Sequence, residues 1–361
     1  MTSLAYQIPV MKPQLPLFDD VAPLLRGMDS ARIYTNNGPI TIRFQEKVGE
    51  YLGVPSERVV LLSNATVALQ GAIELGLATD WIVPDFTFAA TGHAVLNAGK
   101  RLHLVDVNAL DWTLDHNLVS KYTKKVSCGI IPVTPFGSTL NFVPWQEYEQ
   151  VVFDAAASFG APQPDFSEMK PNWFVVYSLH ATKILPSGEG AVVVCGSSGK
   201  AQELRQWANF GFSGSRIAVA SGTNAKMSEI AAAYGLTSLV LKDHELDEWR
   251  NALDLAKTAS ANEFFDTKLS QIDGARPYWI AKFESELLRS EMVELLDRNR
   301  IQSRFWWAAP LSSMKPFESA TSMGSNPVSR HLANTVLGLP MFRGITYSEV
   351  DAVLRVLQKG K

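Results

Sequence analysis

The sequence predicts an α/β protein: a large α/β/α domain with a mostly parallel sheet over residues 1–244, then a smaller C-terminal α+β domain over 245–361. Three observations predict it. Short, continuous apolar runs rich in β-branched residues recur through the first half, as in a sheet covered on both faces. Helical or turn segments separate several of these runs, the pattern of layered α/β domains. The second half changes character, with longer helical periodicities and a charged connecting stretch.

In order, Arg58-Val59-Val60-Leu61-Leu62 reads as the first strand. Ser63, Asn64 and Thr66 then offer caps for a helix with apolar residues at Val67, Leu69, Ala72, Ile73 and Leu75. Further strands are expected at Trp81-Ile82-Val83, His103-Leu104-Val105 and Ile130-Ile131-Pro132-Val133. Three more are expected at Val151-Val152-Phe153, Phe174-Val175-Val176-Tyr177 and Ala191-Val192-Val193-Val194, the last after a Gly188-Glu189-Gly190 turn. Residues 228–241 place Ile230, Ala233, Tyr234, Thr237 and Leu241 on one helical stripe. Residues 242–255 are more charged and read as a helical connection between domains. Near the end, Thr346-Tyr347-Ser348-Glu349 has the capping-box pattern, followed by Val350, Val353, Leu354 and Leu357 at helical spacing.

Composition narrows the class. The 361 residues are 46% hydrophobic and 19% charged, an ordinary globular mix that can bury two cores. A net charge of -3 leaves no basic footprint for nucleic acid. Cys128 and Cys195 sit against apolar runs and read as buried thiols, not as a disulfide or a metal pair. No His, Cys and carboxylate cluster has metal-ligand spacing, so no metal is expected. The first ten residues lack the pattern of a secretory signal, and no apolar run reaches the roughly 20 residues of a membrane span. The expectation is a cytoplasmic protein without membrane partners.

Chemistry concentrates around Lys183. Asp154 ends an apolar run; a second strand follows; Ser178 and Lys183 stand just past it, in Tyr177-Ser178-Leu179-His180-Ala181-Thr182-Lys183. A pyridoxal 5'-phosphate (PLP) site needs this layout. The lysine forms a Schiff base with the cofactor aldehyde, and the carboxylate pairs with the protonated pyridine nitrogen, keeping the ring able to accept electrons. A lone lysine is more often a solvated surface charge, so the reading rests on several elements agreeing. Small residues Ala155, Ala156 and Ala157 leave room for a flat ring at the strand end.

Together these elements resemble the DegT/DnrJ/EryC1/StrS aminotransferases, a branch of the fold-type I PLP-dependent transferases. The resemblance runs from Thr35-Asn36-Asn37-Gly38 to Leu337-Gly338-Leu339-Pro340-Met341. Its sharpest pieces are Ser63-Asn64-Ala65-Thr66, Pro84-Asp85-Phe86-Thr87-Phe88-Ala89-Ala90-Thr91, Asp154-Ala155-Ala156, the stretch ending in Lys183, and Asn224-Ala225-Lys226-Met227. It implies that Lys183 and Asp154 are catalytic. It implies that Ala65, Thr66 and Ser178 hold the cofactor phosphate and that Phe88 stacks on the ring. Asn224 would reach across a homodimer interface to the partner's phosphate. His180, Asn36 and Trp306 are candidates for the substrate side. Two departures stand out: Ala65 where the family usually has Gly, and Ala157 where it often has Gln, a contact that Ser158 could replace.

Each residue also has a plainer reading: Thr66 as a cap, Phe88 as a core aromatic, Asp154 as a turn residue, Asn224 as a helix N-cap. The implied activity is transfer of an amino group from glutamate to a nucleotide-linked keto-sugar in two half-reactions, as in lipopolysaccharide, glycan or antibiotic sugar pathways. Lys183 favours aminotransfer over the dehydratase relatives, which carry His at that position. A desulfurase-type PLP enzyme of the same fold and a non-catalytic regulatory homologue stay open. Arg304, Arg330 and Arg343 are candidates, by location, for holding a substrate carboxylate.

Overall fold

The computed structural model describes residues 6–124, 127–260 and 275–359. Of the N-terminal segment 1–10, residues 1–5 lie outside the described part. Each apolar run expected as a strand is one: β1 (Val59–Leu62), β2 (Asp80–Pro84), β3 (Arg101–Val105), β4 (Gly129–Ile130), β5 (Val152–Asp154), β6 (Phe174–Ser178) and β7 (Ala191–Cys195). They form two runs, β1-β7-β6-β5 and β4-β2-β3-β9, with β9 at Thr321–Ser322. Parallel bridges Ile130–Val151 and Val133–Asp154 join the runs into one surface. β7 is antiparallel to β1 and β6, while the other ladders of this surface among the described residues are parallel.

Alternate residues of each strand enter opposite layers, as a side-chain period of two dictates. Val59 and Leu61 point into one core, Val60 and Leu62 into the other. The first core is covered by α2 (Pro39–Leu52) and α7 (Glu229–Val240) through Phe44, Val48, Ala233 and Leu236. The second is covered by α3 (Ala65–Glu74), α4 (Ala89–Asn97) and α6 (Ser198–Trp207) through Leu69, Ile73, Val95 and Leu204. This is the expected α/β/α sandwich.

After α7 the chain continues as α8 (Lys242–Ser260), longer than the charged stretch suggested. β8 (Trp279–Lys282) and β10 (Val336–Leu339) make a separate antiparallel pair. α9 (Glu286–Arg298), α10 (Pro327–Thr335) and α11 (Tyr347–Lys359) complete the C-terminal part. The capping box forms as expected: the Thr346 N–H donates to Glu349 Oε2 at 2.8 Å, and the Glu349 N–H donates to Thr346 Oγ1 at 3.3 Å.

One C-terminal segment runs back onto the large sheet, where β9 extends the edge beside β3. Two buried carboxylates at the ends of β2 and β3 fasten it. Asp85 accepts from the Ser312 N–H and hydroxyl, both at 2.7 Å, and from Asn326 Nδ2 at 2.8 Å. Asp106 accepts from the N–H groups of Val328 and Ser329 at 2.9 and 2.8 Å, and from the Ser329 hydroxyl at 2.6 Å. A carboxylate at the first turn of α10 meets unpaired N–H groups and a favourable helix dipole. Among the described residues no helix is long and apolar enough to cross a membrane.

Candidate active site

A cavity of about 760 Å3 opens where β1, β2, β5 and β6 end, with Asn64, Thr87, Asp154 and Ser178 on its lining. Ligands of open α/β sheets bind at these carboxyl ends. The lining includes most of the sequence-expected site: Ala65, Thr66, Phe88, Asp154, Ser178, His180, Lys183 and Trp306. Asn36 and Asn224 are not on it.

Asp154 forms the floor. Its Oδ2 accepts from the Thr91 hydroxyl at 2.8 Å and its Oδ1 from the Ala156 N–H at 3.2 Å. Thr91 spends its one proton on the carboxylate, so the Thr87 hydroxyl, 3.1 Å away, donates to Thr91. Thr87 and Thr91 are one turn apart at the start of α4, and both are fully buried. Burial pushes the Asp154 carboxyl above the ordinary aspartate value, while the two donors and the charge of Lys183 pull the other way. Asp154 makes no ion pair among the described residues.

Lys183 sits in a compact turn between β6 and β7. Its N–H donates to the His180 carbonyl at 2.8 Å, and the Ala181 N–H closes onto the Gly188 carbonyl at 2.9 Å. Gly188 takes φ +89°, a conformation glycine adopts without cost. The ε-amine donates to the Tyr278 hydroxyl at 2.8 Å. Sequence reasoning missed Tyr278, which lies 95 positions away on the approach to β8. His180 Nδ1 accepts from the Thr182 N–H at 3.2 Å, so the neutral ring carries its proton on Nε2, which lies 3.7 Å from Glu189 Oε1.

The start of α3 forms a second wall. Of the three candidate caps, Asn64 is the one used: its side chain accepts from the Val67 N–H at 2.9 Å. Ala65 and Thr66 line the cavity, and as the first residues of α3 their N–H groups have no partner within the helix. Ala65 has its methyl against the second core, so the departure from Gly leaves this helix start intact. Ser178 is buried at the end of β6, and its hydroxyl accepts from the His180 N–H at 3.2 Å. Phe88 is not a core aromatic; it is 61% exposed at the cavity edge, just ahead of α4. Ser158 does not take the place of the missing Gln: it is buried, bonded to Thr134 and the Ser138 carbonyl, and off the cavity lining. Thr134, which it steadies, is on that lining.

Asn224 is not the cap of α7, because Ser228 fills that role through the Ala231 N–H at 3.1 Å. Asn224 and Asn36 are both exposed. The loop carrying Asn36 is tied to the start of α7, since the Glu229 N–H donates to the Tyr34 carbonyl at 3.0 Å, and the buried Glu229 carboxylate accepts from the first N–H groups of α2, those of Ile40 and Thr41, at 2.8 and 3.0 Å. Both asparagines thus flank the same helix start.

Aromatic side chains close the cavity. Trp307 stacks on Phe136 at 4.3 Å, and Tyr278 meets Trp306 edge-on at 5.1 Å. Phe136 is held in the left-handed region at φ +51°, a strained setting for a bulky residue. The thiols of Cys128 and Cys195 are pushed up to about 11 and about 12 by burial, and neither lines the cavity. No thiolate of the kind a desulfurase uses is therefore placed there among the described residues.

These features fit PLP. A buried carboxylate without an ion-pair partner suits a protonated pyridine nitrogen. A helix N-terminus with free N–H groups suits a phosphate. A lysine amine in the same cavity suits the aldehyde.

The relatives agree with the geometry. The chain is 26% identical to dTDP-4-amino-4,6-dideoxy-D-glucose transaminase of Shigella dysenteriae, covering 98% of each chain. Its fold superposes on a protein of Bacillus cereus described as a PLP-dependent aminotransferase with a TM-score of 0.87 and 26% identity, covering 97% of this chain and 99% of that one. It superposes on DesI, solved in the presence of its TDP-sugar product, with a TM-score of 0.85 and 26% identity, covering 98% of this chain and 93% of DesI. With a profile match that spans residues 20–358, the chain belongs to the DegT/DnrJ/EryC1/StrS aminotransferase family.

Proposed function

We propose that this chain is a PLP-dependent transaminase that moves an amino group from glutamate to a keto-sugar carried on a nucleotide. The observation that carries the reading is the convergence of the Lys183 amine, the buried Asp154 carboxylate and the start of α3 on one cavity. The nucleotide-sugar acceptor is supported by the Shigella transaminase and by DesI, whose names specify dTDP- and TDP-sugars.

When bound, the cofactor supplies an electron sink for the carbanion left by loss of a Cα proton. Lys183 would hold the cofactor aldehyde and, with its amine free, would take that proton on Nζ as the general base. The Tyr278 hydroxyl holds the free amine. Asp154, fixed by Thr91, Thr87 and Ala156, keeps a ring nitrogen protonated. Ala65, Thr66 and Ser178 would hold the phosphate, and Phe88 would lie against the ring.

The reading includes a cytoplasmic homodimer, with residues 1–244 as the cofactor domain and 245–361 as the smaller one. The segment between the bridged pair Asn209 and Asn224 exposes Phe210, Ile217 and Val219, apolar area suited to a second copy. In such a pair Asn224 completes the partner's phosphate site.

The test compares a nucleotide-linked keto-sugar with the free sugar under saturating glutamate. Remote contacts to the diphosphate and base help position the keto carbon, so the free sugar should turn over more slowly even at saturation. Equal turnover on both would sink the nucleotide-sugar reading.

A further inference from the structure

Both substrates in this reading are anions: an amino acid with carboxylates, and a sugar on a diphosphate. One cavity must recognise both, in alternation. The cavity lining carries one lysine and one arginine, Lys183 and Arg304, and the cofactor claims Lys183.

The structure sorts the three arginines raised by the sequence. Arg343 is buried and paired with Glu245 at 3.4 Å and Glu248 at 3.3 Å. Arg330 donates to the Ser325 carbonyl at 2.9 Å and lies off the cavity lining. Arg304 lines the cavity, is exposed, and makes no ion pair among the described residues. Its guanidinium lies over the Trp306 ring, 4.9 Å from the centroid.

That placement is built, not incidental. The backbone of Arg304 exchanges hydrogen bonds with Gly338 at 3.0 and 2.8 Å. A Cβ at position 338 would lie 2.1 Å from Trp306 Nε1, so only glycine lets the indole lie against β10. Tyr278 meets that indole edge-on and also holds Lys183. Contacts therefore run from the reactive amine through two rings to the guanidinium. A guanidinium over an aromatic face keeps its N–H edge free, and that planar fork matches carboxylate and phosphate alike.

We propose that Arg304, seated on Trp306 against Gly338, is the anion-recognition residue of the cavity and takes the acidic groups of both substrates in turn. It binds a carboxylate of the amino donor in one half-reaction and the diphosphate of the acceptor in the other. The inference rests on the transaminase reading and adds the residue that lets one site accept two unlike molecules.

The experiment titrates the PLP-loaded wild type and Arg304→Gln with glutarate, a diacid with no amino group to give, and separately with thymidine diphosphate, by calorimetry. In the wild type each should displace the other. In Arg304→Gln both should bind about 10- to 100-fold more weakly, the range for lost charge-assisted hydrogen bonds, with the cofactor's visible absorbance retained. Simultaneous binding of both ligands to the wild type, or weakening of only one by the substitution, overturns the shared role. Gly338→Ala leaves the guanidinium chemically intact and should weaken both ligands in the same direction; unchanged affinities would overturn the Trp306 platform. A wild type that passes both binding arms but transfers no amino group from glutamate would sink the transaminase reading and leave the anion site standing.

Discussion

Replacing Asp154 by Asn separates its two roles, structural and electrostatic. The amide is the same size and keeps an oxygen for the Ala156 N–H. Its NH2 would face Thr91, whose hydroxyl can turn to accept, so the floor loses little hydrogen bonding. The charge is what disappears. Loss of one positioned electrostatic partner typically costs on the order of 10² to 10³ in rate, and turnover should fall by that much while the protein stays folded. A second readout comes from stability without cofactor. Burial raises the Asp154 pKa, so the folded state binds a proton more tightly there than the unfolded chain does. Above the unfolded aspartate value of about 3.9, this group therefore makes wild-type stability fall as pH rises toward the raised value. Asn cannot titrate, so the difference in stability, variant minus wild type, should grow with pH over that window. Urea unfolding of the cofactor-free proteins at several pH values measures it, beside steady-state turnover of the loaded enzymes. Turnover within twofold of wild type, or a stability difference that shrinks with rising pH, would refute the reasoning.

Two further perturbations address the lysine and the dimer. Tyr278→Phe removes the hydrogen bond to Lys183 Nζ; kcat should drop about 2- to 10-fold, the worth of one neutral hydrogen bond, with cofactor affinity unchanged. A change confined to cofactor affinity would deny Tyr278 a role in holding the free amine. Lys183→Ala should abolish turnover, and Asn224→Ala should weaken cofactor binding. Mixed dimers of these two variants should regain activity, because one site then contains both native residues; no recovery would place Asn224 in its own subunit's site or nowhere near one.

The sheet was legible because its signal is local. A strand buried on both faces must be apolar along its length, so Val59 to Leu62 and Ala191 to Val194 stand out without knowledge of their partners. The reactive pair was legible for a related reason: Asp154 and Ser178 sit at the ends of paired neighbours β5 and β6, and Lys183 lies one short turn beyond. What stayed hidden depends on distant contacts. Tyr278 reaches Lys183 from outside the cofactor motifs, and nothing in its neighbourhood marks it. Thr91 reaches Asp154 across 63 positions, although its four-residue spacing from Thr87 at the start of a helix was a usable clue. Asn36 and Asn224 show the opposite limit. Their motif is plain, yet both are exposed and off the lining of this chain's cavity.

The split between legible and hidden residues follows a physical division within the site. The groups proposed to react stand on strand ends, one helix start and the short turn after β6, beside two packed cores. The groups proposed to recognise substrate, Arg304 to Trp307, stand on a connection outside that sheet, and such a connection drifts unless it is fastened. Asp85 and Asp106 supply the fastening at either end of the 311–329 return. Each is a buried carboxylate satisfied by neutral donors from that segment. A buried charge left without its donors is costly, so the segment cannot lift away from β2 and β3 without exposing that cost. The aromatic wall next to this segment gains stiffness from the sheet that carries Asp154. Its placement relative to the Lys183 amine is then set by the large domain's own carboxylates as well as by the C-terminal packing.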